Sequence, residues 1–135
     1  MTLTALDKLG EFGHREPVVI SPFESLRHAC EVMWAESIGV VVVGTASHPV
    51  GIISANDVVA KIARGGDPDV VTVEQAMTKS VITARLEDLV HDAAYVMLDE
   101  AIRHLPISDD EGTVIGMVSV GDLLRPLLVE SLERP

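Results

Sequence analysis

Hydrophobic and polar positions along this chain alternate between two periods, and the same succession of periods runs through it twice. Residues 1 to 16 are weakly patterned, with Leu3, Leu6 and Leu9 at spacing three, and predict a short leading helix or a packed arm. Pro17 to Ile20 reads as a short extended run, and Ser21-Pro22-Phe23-Glu24 as a helix start, with serine as N-cap and proline at the first helical position. Leu26, Ala29, Cys30, Met33 and Ser37 then share one helical stripe, closed by Ile38-Gly39. Val40-Val41-Val42-Val43 is β-branched and too short for a helix, so it predicts a buried strand. Gly44 to Pro49 is a turn, Val50 to Ser54 the return strand of a hairpin, and a helix follows from Asn56 to about Arg64, ended by Gly65-Gly66.

After a linker at 67–71, Thr72-Val73-Glu74-Gln75 has the spacing of a capping box on one helical turn, and the series begins again. Val81-Ile82-Thr83 is extended, and Val90, Ala93, Ala94, Met97 and Ala101 form the next helical stripe. Leu105-Pro106-Ile107, an acidic turn at 108–112, a strand over Val114 to Ser119 and a last helix, bent or begun at Pro126, complete the second half. Ile20 maps to Thr83 by a shift of 63, Ala29 to Ala93 and Met33 to Met97 by 64, and Gly51 to Gly116 by 65. Each one-residue step falls in a loop, where insertions are tolerated. The pattern is a tandem duplication of a strand-helix-strand-strand-helix unit, with an arm at 1–16, a first repeat at 17–71 and a second at 72–135.

Composition narrows what such a unit can be. Hydrophobic residues make up 47% of the 135 but aromatics only 3%, so the core must be built from aliphatic side chains, which suits doubly covered sheets. No stretch approaches the ~18 apolar residues that span a membrane, and no export signal precedes the first repeat, so a cytoplasmic location is expected. Cys30 has no second cysteine to pair with and reads as a buried thiol. The net charge of −11 argues against nucleic acid as partner, and an anionic ligand would have to be held by local donors.

The duplicated unit resembles a pair of CBS domains, the tandem arrangement also called a Bateman module. The residues that carry the resemblance are Pro17-Val-Val-Ile-Ser-Pro with Leu26, Ala29 and Met33 in the first copy. In the second they are Ala76-Met-Thr-Lys-Ser-Val-Ile-Thr, Met97, Ile102-Arg-His-Leu-Pro-Ile and Gly116-Met-Val-Ser-Val-Gly-Asp. The likeness covers roughly residues 15 to 132. It implies an α/β (α+β) fold of two β-α-β-β-α repeats packed with pseudo-twofold symmetry, with two clefts between their sheets. It also implies an adenosyl ligand (AMP, ADP or ATP, with S-adenosylmethionine or NAD as further members of the class), a homodimer, an unidentified regulated protein, and no reaction of its own.

The residues fit that implication. Asp57 and Asp122 stand at helix starts, where a carboxylate accepts hydrogen bonds from adjacent ribose hydroxyls. Ser54 and Ser119 lie three residues earlier, where a hydroxyl and free backbone N–H groups hold phosphate. Val19 and Ile20, or Ile82 and Thr83, offer an apolar slot for adenine, with Val40 and Pro106 on the neighbouring strands. Ser-x-x-Asp before an apolar run is equally a plain capping box, contributing roughly 0.5–2 kcal/mol to helix stability. The copies differ at Arg103-His104, matched in the first repeat by the uncharged Gly39-Val40. A phosphate-competent site involving Ser119, Asp122, Arg103 and His104 is therefore expected, and at Ser54 and Asp57 a site that is weaker, empty or suited to a less charged adenosyl group. The alternative, since the clefts lie between repeats, is that Arg103 reaches across to the ligand of the other site. The five histidines show no metal spacing, and neither serine has a neighbouring base, so neither metal nor covalent chemistry is expected. Trp34 lies just off the buried stripe, as packing or as a contact for a second protomer. A ligand-free scaffold that dimerises and docks on a partner is the competing reading.

Overall fold

The computed structural model describes residues 7–11 and 14–124. In the first repeat, β1 (Val19–Ile20) runs parallel to β2 (Val40–Gly44), which pairs antiparallel with β3 (Pro49–Ser54). Helices α1 (Leu26–Glu36) and α2 (Ala55–Ala63) accompany that sheet, and the one-turn α3 (Val73–Ala76) follows the linker. The second repeat supplies α4 (Val90–Asp99), β4 (His104–Ser108), β5 (Val114–Ser119) and α5, helical over 120–124. Here the first strand shrinks to one parallel bridge, Ala84 on Ile107. Met33 and Met97 sit in the core, as their helical stripes predict. The last helix's Pro126 and the leucines at 3 and 6 lie outside the described residues.

The start of α1 differs from the sequence expectation. Residues 22–23 form a turn in which the Ser21 hydroxyl accepts the Phe23 N–H, and the N-cap is Ser25, accepting from His28 N–H. The proline thus opens a turn one step ahead of the helix. Both long helices end alike: Ser37 and its counterpart Ala101 adopt left-handed φ of 55° and 56°. The N–H of Ile38 then reaches back to Met33 O and that of Ile102 to Met97 O. Cys30 is half-buried in an apolar hollow rather than buried.

Two crossings tie the halves together. Thr78, on the way into the second repeat, pairs through its N–H and C=O with Ile52 of β3 at 2.8 and 2.9 Å. Arg15, on the way into the first, pairs in the same manner with Met117 of β5 at 3.0 Å each way. These close approaches explain why glycine stands at the same place in both copies. A Cβ on Gly51 would lie 2.6 Å from Thr78 O, and one on Gly116 2.4 Å from His14 Cδ2 and 3.2 Å from Arg15 O. Further up the arm, Leu9 is buried, and the Val90 N–H donates to Asp7 O as the Leu26 N–H does to Val71 O. The arm therefore packs against the second repeat, and the 72–78 segment against the first.

Candidate functional site: the groove between the repeats

Each Ser-x-x-Asp turn forms a complete capping box. Ser54 N–H donates to Asp57 Oδ2 at 2.9 Å, and Asp57 N–H to Ser54 Oγ at 3.2 Å. Ser119 and Asp122 exchange the same bonds at 3.0 Å each. The structural and ligand-binding readings are not exclusive, since a carboxylate has two oxygens and each box uses one. The N–H groups expected to await a phosphate are, however, mostly engaged. Ala55 N–H donates to Gly39 O and Val120 N–H to Arg103 O, so two of the first three donors of each helix have partners.

Beside the first turn, where the repeats meet, lies a groove of about 130 Å³, lined by Gly39, Ser54 and Asn56 from the first repeat and by Ile102, Arg103 and His104 from the second. The Arg103 side of the second repeat thus faces the Ser54 turn there. Pockets that take whole small molecules measure roughly 300–1,000 Å³, so this groove has room for an anionic group rather than an entire nucleotide. Arg103 is exposed and makes no ion pair among the described residues. Arg15 is turned away, its guanidinium donating to Glu36 O at 2.9 Å and to the Glu36 carboxylate at 2.5 Å. Asn56 Nδ2 donates across the repeats to Ala101 O at 3.4 Å.

His104 behaves differently from a protonated phosphate donor. Its Nδ1 accepts the Gly39 N–H at 3.4 Å, which leaves Nε2–H as the donor of the neutral ring. Burial pushes its pKa below the ordinary histidine value; Arg15 and Arg103 push the same way, and Asp122 opposes them. A folded-state pKa held below the unfolded value means that stability is fully present above about 6.5 and falls as pH drops through the folded value. In urea titrations, the midpoint of the wild type should therefore drop further between pH 7.5 and 5.5 than that of His104→Gln. Parallel slopes would show that His104 carries no such linkage.

The remaining candidates divide. The side chains of Val40 and Ile20 belong to the core, and Pro106 is buried in β4 with its C=O accepting the Ala84 N–H. All three side chains are buried, as befits strands whose two faces are both covered. Val19 is exposed, Ile82 half-buried, and Thr83 Oγ1 accepts the Ser108 hydroxyl at 3.1 Å. One residue that local pattern did not single out reaches a candidate carboxylate: Thr78 Oγ1 lies 3.3 Å from Asp57 Oδ1 and 3.5 Å from Oδ2. Only the crossed pairing of Thr78 with β3 brings it there. Among the described residues no group of three or more His, Cys, Asp and Glu could hold a metal, and no helix is long and apolar enough to cross a membrane.

Comparison with known proteins agrees with this architecture. The model of the CBS domain matches residues 9–64 and 73–129. A protein of Methanopyrus kandleri is 37% identical over 129 residues, which are 93% of this chain and 66% of that protein. A 17.7 kDa protein of Acidianus ambivalens is 35% identical over 122 residues, 90% of this chain and 73% of the other. The chain thus spans about two thirds of the first relative's length. Among solved structures, a CBS domain protein of Pyrobaculum aerophilum complexed with AMP superposes with a TM-score of 0.79 at 26% identity, covering 95% of this chain and all of that one. A CBS domain pair in complex with 5′-methylthioadenosine and S-adenosyl-L-methionine shares the fold, with a TM-score of 0.80 at 24% identity over 93% of this chain and 98% of the other.

Proposed function

This chain belongs to the CBS-domain family, and on that premise we propose that it is a regulatory module that binds an adenosyl nucleotide in the cleft beside Asp122. The observation that carries the reading is the contact of the Ser119–Asp122 turn with Arg103 and His104: His104 stands opposite Ser119 across β4 and β5, and the Val120 N–H donates to Arg103 O. Asp122 Oδ1 faces no hydrogen-bond donor among the described residues and is available to a ribose hydroxyl. In a chain of net charge −11, Arg103 is the local cation that meets a phosphate. The AMP carried by the Pyrobaculum protein supports the ligand class. Its members are separated by a thermal-shift series with AMP, ADP, ATP, S-adenosylmethionine and NAD. Ligand at a hundredfold over its Kd should stabilise the fold by ~2.7 kcal/mol. A shift with AMP exceeding that with NAD supports the reading, and no shift with any of the five overturns it.

A second feature favours self-association as the way the signal is passed on. Two apolar hollows of about 290 and 430 Å³ flank the groove, bordered by Trp34 and Val59 in one repeat and by Leu98 and Leu124 in the other. Trp34 is 88% exposed and its counterpart Leu98 81%. The duplication repeats one apolar patch on either side of a polar centre, a surface to which a second copy offers the same pair. Ligand would act by binding one arrangement of the two copies better than another. Light scattering should find a dimer for the wild type and a monomer for Trp34→Glu with Leu98→Glu. A monomeric wild type would remove this part of the proposal, and a dimer without nucleotide response would favour a ligand-free adaptor.

A further inference from the structure

We propose that the hydroxyl of Thr78 is an internal competitor for the Asp57 carboxylate and keeps the first-repeat site closed to ribose. The inference rests on the adenosyl-binding reading above and concerns which of the two clefts is used. Asp57 Oδ2 already accepts the Ser54 N–H, and Thr78 Oγ1 lies within 3.3 Å of Oδ1 and 3.5 Å of Oδ2. A vicinal diol directs its donors at the same two oxygens, so Thr78 competes with it for the lone pairs that the Ser54 N–H leaves open. The threonine is held there by its own backbone, whose N–H and C=O pair with Ile52. It therefore reaches Asp57 with little loss of freedom, whereas an incoming ligand must be ordered.

The second repeat lacks this arrangement. The residue that pairs with Met117 as Thr78 pairs with Ile52 is Arg15, and its guanidinium is engaged by Glu36. No hydroxyl stands over Asp122 among the described residues. The two clefts thus differ at a residue contributed by the segment entering the opposite repeat, independently of the Arg103-His104 asymmetry.

The test is calorimetric titration of the full chain with AMP in an Asp122→Ala background, where the second site is silenced. Thr78→Val, which keeps the shape and removes the donor, should tighten the residual binding roughly five- to tenfold, the worth of one displaced hydrogen bond. Thr78→Ser, which keeps the donor, should leave it unchanged. Adding Asp57→Ala to Thr78→Val should erase the gain, which a merely structural effect of the valine would not do. No gain with valine, an equal gain with serine, or a gain that survives loss of Asp57 overturns the inference while the adenosyl reading stands. A wild-type chain that binds no AMP fails the underlying reading, and the inference falls with it.

Discussion

Replacing Ser119 and Asp122 together with alanine is expected to weaken AMP binding at least a hundredfold. Hydrogen bonds to a charged group contribute roughly 1.5–3 kcal/mol each, and every 1.4 kcal/mol is a factor of ten in affinity. Losing both ribose contacts to Asp122 therefore exceeds the threshold without counting the serine. The same substitution dismantles the capping box of α5, where Ser119 and Asp122 exchange two backbone bonds. Stability should fall by about 0.5–2 kcal/mol, so the binding loss needs a control of equal structural cost. Thr72→Ala with Gln75→Ala removes the corresponding box of α3, far from Asp122 in the chain, and should cost similar stability with AMP affinity intact. Asp122→Asn refines the test, because its amide oxygen still accepts the Ser119 N–H while the negative charge is gone. If calorimetry finds AMP affinity unchanged in the double variant, Asp122 is a cap and nothing more.

Gly51→Ala is expected to produce the largest loss of stability among surface-neutral changes, because the new Cβ meets backbone rather than a movable side chain. It would stand 2.6 Å from Thr78 O and 2.9 Å from Met77 Sδ. Relief requires β3 and the 77–78 segment to part, which strains the reciprocal Ile52–Thr78 pair. Overpacking of this kind costs about 1–3 kcal/mol, or roughly 4–12 °C in Tm at this chain length. Gly116→Ala should cost less, since the nearest atom is the movable His14 ring and the arm's carbonyl is 3.2 Å away. Equal melting of wild type and Gly51→Ala would show that the crossed segment is not held as tightly as its hydrogen bonds imply.

The duplication, the hairpins and the capping boxes were legible in the sequence because each is written in short-range pattern. Val40 to Val43 has no reading but a buried strand, and Thr72-x-x-Gln75 caps its one turn as spaced. The start of α1 lies one turn beyond the sequence expectation for the same reason: Ser21-Pro22 matches a helix start locally, but the chain first turns through 22–23 and caps at Ser25. What local pattern does not carry is the crossing of the segments that enter each repeat. Thr78 and Arg15 sit 26 and 102 residues from the strand partners Ile52 and Met117, and nothing in periodicity links them. That crossing moves Thr78 onto Asp57 and brings Arg15 near enough to depress the His104 pKa. Likewise the identity of His104 as a candidate was visible, but its role as acceptor for the Gly39 N–H depends on the packing of β2 beside β4.

The most direct measurement is calorimetric titration of the intact chain with AMP at pH 7.5, beside adenosine as the ligand without a phosphate. The account predicts saturable AMP binding at one site per chain, and weaker adenosine binding because Arg103 has no phosphate to meet. A flat AMP trace at ligand concentrations approaching millimolar would contradict it, and equal affinities for AMP and adenosine would remove the groove at Arg103 from the site.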